Sequence, residues 1–394
     1  MVSEAIDHMV AIVVVGVIFV ATVVALPAMN FSNIQTLDQQ QLRNTALNVF
    51  DSILLNGGSP TDWGAIPSSD FDQDNIKLFG LASPNPLSKF VLDSGKVQRL
   101  NTTYGPGMTI DRVRSLLNLQ EYDFRLSLYR PFKVASYLNA TVDTINLSVT
   151  TTRAEDGTPI PNAEVKVTIM VTASSLEKNK TTGEYDLDYK VFTAGPYKTD
   201  SAGKVQRDLS VPGLAGYMVN YAAAIMYITV GGMTTTVIAQ NENEVTKYIK
   251  VSVYGDTIDL SFRDESVDNP SERGVVDLRA FDFENFYSLF SPDGKPPKIT
   301  NGQGWISWTY TYDNLRALDP QALVMVLQLT VPGAHDGFPA RRLVLIAGPF
   351  AFGDPSEIFS FGNDSGAEDV IAVMRRLVVI SGMTYVAEIA FWRA

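Results

Sequence analysis

The sequence predicts a mainly β protein led by one long N-terminal α-helix, with a small α/β head and two β-sandwich domains behind it. Three observations carry this. Residues 9–26 are uncharged and almost wholly apolar, and an amphipathic helical period follows to residue 56. The rest of the chain breaks into short alternating segments punctuated by Gly, Pro, Asn and Asp clusters. The 394 residues suffice for about two to three domains of ~150 residues each. Gly 28 and Pro 20, with only 19% charged residues, suit an ordered, turn-rich β protein better than a disordered one.

The opening segment, Met9 to Leu26, reads MVAIVVVGVIFVATVVAL. As a helix rising ~1.5 Å per residue it is about 27 Å long, close to the thickness of a bilayer's hydrocarbon core. Its many β-branched residues would weaken a helix in water. In lipid, every backbone group must bond within the segment, so the helix forms regardless. A cleaved secretory signal is the competing reading. The preceding MVSEAIDH carries Glu4 and Asp7 but no Lys or Arg, and Leu26-Pro27-Ala28 is a poor cleavage site, so a retained helix is expected. The residues expected to face lipid or neighbouring helices are Met9, Val10, Ile12, Val13, Val14, Val17, Ile18, Phe19, Val20, Val23, Val24 and Leu26, with Pro27 as a kink. Beyond it Ile34, Leu37, Leu42, Ala46, Val49, Phe50, Ile53 and Leu54 fall along one helical face, and Gly57-Gly58 ends the run.

An N-terminal VSEAI (Val2–Ile6), an unbroken Val/Ile run, a long amphipathic helix and a β-rich ectodomain together resemble archaeal type IV pilin-like proteins, many of which begin with a comparable VSPVI-type stretch. The resemblance covers about the first sixty residues. It implies a helix that first sits in the membrane and later packs into a filament core.

Four regions are expected. Residues 1–56 form the hydrophobic helix and its amphipathic extension. Residues 57–136 form a small α/β head, with a short helix in TIDRVRSLLNL (Thr109–Leu119) and a strand in YDFRLSLY (Tyr122–Tyr129) ended by Arg130-Pro131. Residues 137–247 form a β-sandwich, with strands over Thr141–Arg153, Glu164–Ser174, Thr199–Val211 and Tyr221–Gln240. Its PIPNA and TDSAGK stretches resemble the immunoglobulin-like repeats of microbial adhesins and S-layer-type proteins. Residues 248–394 form a C-terminal β-rich domain, within which the Ser/Pro/Gly/Asp-rich stretch 265–303 reads as a long loop.

Composition excludes several chemistries. Cysteine is absent and the two histidines are His8 and His335, which leaves no thiol nucleophile, disulfide or ordinary zinc site. A net charge of −12 argues against wrapping nucleic acid. Asp70, Asp72 and Asp74 alternate as calcium loops do, yet Asn75 and Leu81 stand where an EF-hand needs Gly and Glu, so a solvated acidic turn competes with a calcium loop of another type. No other cofactor is expected. Asn-X-Ser/Thr sequons occur at Asn30, Asn101, Asn139, Asn146, Asn179 and Asn363, and all but the membrane-proximal Asn30 are glycosylation candidates on an exported chain. The row Ile306, Trp308, Tyr310 and Tyr312 reads as a sheet's core face rather than a sugar platform. Asp264, Glu265 and Glu284 show no glycosidase spacing, and His335 lies near no nucleophile elbow, so no catalytic residue is assigned and an enzyme is not expected.

The expectation is thus a cell-surface structural subunit, anchored in or extruded from the cytoplasmic membrane. Its partners would be its own copies or membrane lipid, with a possible surface or sugar partner for the β domains. The alternative is a monomeric membrane-anchored adhesin or receptor.

Overall fold

The computed structural model describes residues 38–84, 86, 88–101, 106–141, 144–178, 185–211, 213, 217–240, 249–263, 274–282, 285–289, 299–301, 305–313, 315–318, 322–329, 341–347, 359–364 and 371–394. The chain is mainly β, and its described residues form five sheets and a few helices.

Helix α1 spans residues 38–55. Leu42, Ala46, Val49, Phe50, Ile53 and Leu54, spaced as one helical face requires, are buried in it, while residues 38–41, Arg43, Asn44 and Asn48 are exposed. The apolar face packs into one core with strand β2 (Tyr122–Tyr129) and strands β19 (Ala372–Ile380) and β20 (Met383–Arg393), through Phe124, Leu126, Leu128, Val378, Ile380, Ala387, Ile389 and Phe391. The sheet runs β1 (Val91–Leu92), β19, β20, β2, β18 (Phe359–Gly362), antiparallel except where β1 meets β19. Phe124 lies opposite Phe391 and Leu126 opposite Ile389. Helices α2 (Ser94–Gln98) and α3 (Ile110–Leu116) belong to the same unit, each capped at its N-terminus by a side chain, Asp93 and Thr109 respectively.

This pairing departs from chain-order grouping. Strands β18–β20, expected in the 248–394 domain, complete the head sheet instead, because alternation specifies a strand but not its partner. The boundary at 136/137 also moves: β3 (Phe132–Ala140) runs across it, and the break falls at Arg130-Pro131.

Two sheets share the second core. One is β3, β4 (Thr144–Arg153) and β7 (Lys204–Ser210); the other is β6 (Tyr185–Lys198), β5 (Glu164–Lys178), β8 (Tyr217–Val230) and β9 (Met233–Gln240). All of these pairings are antiparallel. Ile145, Leu147 and Val149 of the first sheet meet Val165, Val167, Ile169, Ala224 and Met226 of the second. The apolar run Tyr221–Gln240 is a hairpin, folded at Gly231-Gly232 with φ of 57° and 84°, angles that suit a tight hairpin turn. The PIPNA and TDSAGK stretches close one end together. Thr199 Oγ1 donates to Ile160 O at 2.8 Å and accepts from Ala163 N at 2.9 Å, and Asp200 Oδ1 accepts from the Ala202 and Lys204 amides.

The remaining strands form two four-stranded sheets. One is β10 (Ile249–Tyr254), β11 (Thr257–Arg263), β15 (Trp305–Thr311) and β14 (Ile299–Asn301). The other is β13 (Asn285–Ser288), β12 (Gly274–Asp282), β16 (Ala322–Leu329) and β17 (Arg341–Ala347). A short helix α4 (Leu315–Leu318) follows β15. Strands β12, β13 and β14 correct the expected 265–303 loop. GVVDLRAFD carries a strand pattern that the flanking Ser, Pro and Gly clusters obscure.

Candidate functional site

The described helix α1 is fixed along one side. Phe50, Ile53 and Leu54 are fully buried, and each large apolar side chain withdrawn from water contributes about 1.5–3 kcal/mol. Arg393, the final residue of β20, lies 3.5 Å from Asp38 at the first described turn, an exposed ion pair of minor energetic weight. Helix and C-terminal hairpin are therefore one mechanical body, although they come from opposite ends of the chain.

A second concentration of chemistry lies at α2. Its five residues and Arg99 bury Lys96, Gln98 and Arg99 almost completely. Asp93 caps the helix by accepting from the Lys96 amide at 3.0 Å. The Lys96 ammonium donates to Gly57 O and Ala82 O, both at 2.7 Å, and ties the chain after α1 to the segment before β1. Burial pushes the Lys96 pKa down to about 8; Asp93 and Asp62 oppose that shift and Arg316 adds to it. Two glycines admit the close approach. A Cβ at Gly64 would stand 2.4 Å from Lys96 N, and one at Gly95 would stand 2.6 Å from Gly64 O.

Arg99 faces outward from this head toward β10. Its guanidinium lies over Tyr254 at 3.6 Å and Phe71 at 4.1 Å, donates to Pro106 O at 2.7 Å and also to Ile66 O. Burial lowers its pKa to about 10, partly offset by Tyr254 and Asp259, so it stays charged at neutral pH. Gln98 Oε1 accepts from Val253 N at 3.4 Å, and Gly255 sits against Ala65. A second tie joins head to sandwich: Thr236 Oγ1 on β9 contacts Met383 Sδ, at the start of β20, at 2.8 Å. These contacts hold one unit against the next. They place no nucleophile beside a base.

No local pattern announces Lys96, Gln98 and Arg99, because SGKVQR reads as a solvated polar stretch. The one legible signal is Asp93 as an N-cap.

The sequence-predicted sites fare differently. Met9–Leu26 and Pro27 lie outside the described residues, as do Asn30, Asn179, Asp264, Glu265, Glu284 and both histidines. Among the described residues no helix is long and apolar enough to cross a membrane. The acidic run is a capped turn: Asp72 accepts from Asp74 N at 2.9 Å and from Asn75 Nδ2, Asp70 bonds Ser69, and Asp74 lies 3.9 Å from Arg112. Among the described residues no group of three carboxylates or histidines gathers to hold a metal, Asp70, Asp72 and Asp74 included. Tyr310 and Tyr312 are half-buried and stacked, centroids 6.2 Å apart, and burial raises the pKa of both, Tyr312 to about 12. Of the sequons, Asn146 and Asn363 already donate their side-chain amides to Asp208 at 2.5 Å and Asp123 at 2.6 Å, and Asn101 is half-buried, whereas Asn139 is exposed.

No protein-family model and no curated protein matches the chain. Among solved structures, Spo0M, a sporulation control protein from Bacillus subtilis, matches at 9% identity over 55% of this chain and 90% of its own, with a TM-score of 0.17. A likeness that slight supports no inference of shared fold or role.

Proposed function

We propose that the protein is a structural subunit of an archaeal cell-surface filament of the type IV pilus kind. Its Met9–Leu26 helices bundle as the core, and a pilin-like head with immunoglobulin-like β domains forms the outer layer. One observation carries the reading. Helix α1 follows an uncharged eighteen-residue run in sequence and is locked by its apolar face into a sheet closed by the chain's own C-terminal hairpin. A head built this way can transmit load from a helical core, and it leaves the β domains as insertions between β2 and β18. An all-apolar helix must be buried, in lipid or among its copies. Compared with lipid, burial among copies gains little hydrophobic energy, so helix packing and head contacts drive assembly.

Electron microscopy of material shed from the native cells tests this. Uniform fibres containing the chain are expected, and Val17→Asp, which places a charge in the core, should abolish them while leaving the head folded. Detergent-soluble monomers without fibres would instead establish the membrane-tethered adhesin.

A further inference from the structure

We propose that Asn139 is the glycosylated asparagine of the β3–β4–β7 face, and that Tyr137 is the platform on which its first sugar rests. The proposal rests on the surface location argued above.

Along β3, Lys133, Ala135, Tyr137 and Asn139 all point outward and are exposed, while Phe132 and Leu138 are buried. Tyr137 is 60% exposed, far more than a large aromatic ring in a sheet ordinarily is. Its cross-strand neighbour on β4 is Ser148, too small to cover the ring. Two residues on, and on the same face, stands Asn139 of the sequon Asn139-Ala140-Thr141. Its side-chain amide has no hydrogen-bond partner among the described residues. Asn146, the direct cross-strand partner of Asn139, begins a second sequon, but its amide is held by Asp208 at 2.5 Å. Asn363 is held by Asp123 in the same manner.

The geometry thus distinguishes sequons that look alike in sequence. A sugar joined to Asn139 Nδ2 can lie back over the Tyr137 ring, its apolar C–H face against the π-system, and cover aromatic surface left exposed. A sugar on Asn146 would break its bond to Asp208 and crowd the same patch. The transfer itself joins Asn139 Nδ2 to the anomeric carbon of a glycan carried on a lipid phosphate. The anomeric C–O bond breaks, the lipid phosphate leaves with the electron pair, and the amide proton passes to a base of the transferase.

Glycopeptide mass spectrometry on the protein isolated from its own cells tests the assignment, with protease added to intact cells as a check on location. Asn139 should be modified on most copies and Asn146 and Asn363 should be largely bare. Tyr137→Ala, a change at an exposed site that leaves the core untouched, should cut Asn139 occupancy by about half, and Tyr137→Phe should restore it, since the ring and not the hydroxyl makes the contact. A bare Asn139 on a chain that external protease cleaves would overturn the proposal while leaving the surface location standing. Full occupancy of Asn139 in Tyr137→Ala, or sugar on Asn146 in its place, would also overturn it. A bare chain that protease cannot reach would defeat both this proposal and the surface reading.

Discussion

Raising the pH from 7 to 10 should stabilise the head through Lys96, and Lys96→Met should remove that gain. In the unfolded chain Lys96 holds its proton up to its ordinary pKa of 10.5, whereas in the fold burial lowers the pKa to about 8. Between those values the unfolded state binds the proton and the folded state does not, so stability rises with pH across that window. The difference corresponds to at most about 3 kcal/mol, fully gained only near pH 10.5. The neutral amine still has two N–H groups for Gly57 O and Ala82 O, so deprotonation does not undo the tie. At ~2–4 °C per kcal/mol, the melting temperature of the native chain relative to Lys96→Met should climb by roughly 5–10 °C from pH 7 to pH 10. Subtracting the variant's curve cancels every group other than Lys96. Circular-dichroism melts at unit pH steps read the effect. Parallel curves for the two proteins would refute the argument and mean that Lys96 keeps its ordinary pKa in the fold.

Above pH 10 the sign reverses through the tyrosines. Burial pushes Tyr312 and Tyr385, the latter on β20, up to about 12 in the fold, so the unfolded chain loses their protons first and stability falls from pH 10 upward; tyrosinate absorbance during an alkaline titration should lag in the native protein and appear on unfolding. Arg99→Lys should destabilise by about 2–3 kcal/mol, because an ammonium cannot stack flat between Phe71 and Tyr254 or reach both Pro106 O and Ile66 O; a lowered denaturation midpoint checks it. Gly203→Ala should cost the sandwich about 2 kcal/mol or more, since φ is +69° there and a Cβ would stand 2.4 Å from Thr151 O. Urea unfolding followed by fluorescence measures that loss.

Much of the fold was legible in local pattern. The face Leu42, Ala46, Val49, Phe50, Ile53 and Leu54 shows in the spacing of apolar residues, and all six are buried. YDFRLSLY is strand β2 over the residues expected, and TIDRVRSLLNL holds α3 behind its Thr109 cap. The PIPNA and TDSAGK turns were recognisable because Pro, Asn, Asp and Gly at fixed offsets signal turns without reference to anything distant. Strands β12–β14 were missed because turn-forming residues on both sides outweighed a short alternating run. Among the candidate sites, sequence alone could enumerate sequons and an acidic run. It could not tell an asparagine with no partner among the described residues from one held by Asp208.

By itself, then, the chain's sequence determines periods, breaks and caps, since each depends on residues within a turn or two of one another. The partners are a tertiary matter. That β20 lies between β19 and β2, that Lys96 and Arg99 are buried while looking like surface residues, and that Tyr137 stays largely exposed all depend on which distant segments come together. Those encounters are settled by how the apolar faces of separate elements jointly leave water, a quantity that no short window of sequence contains.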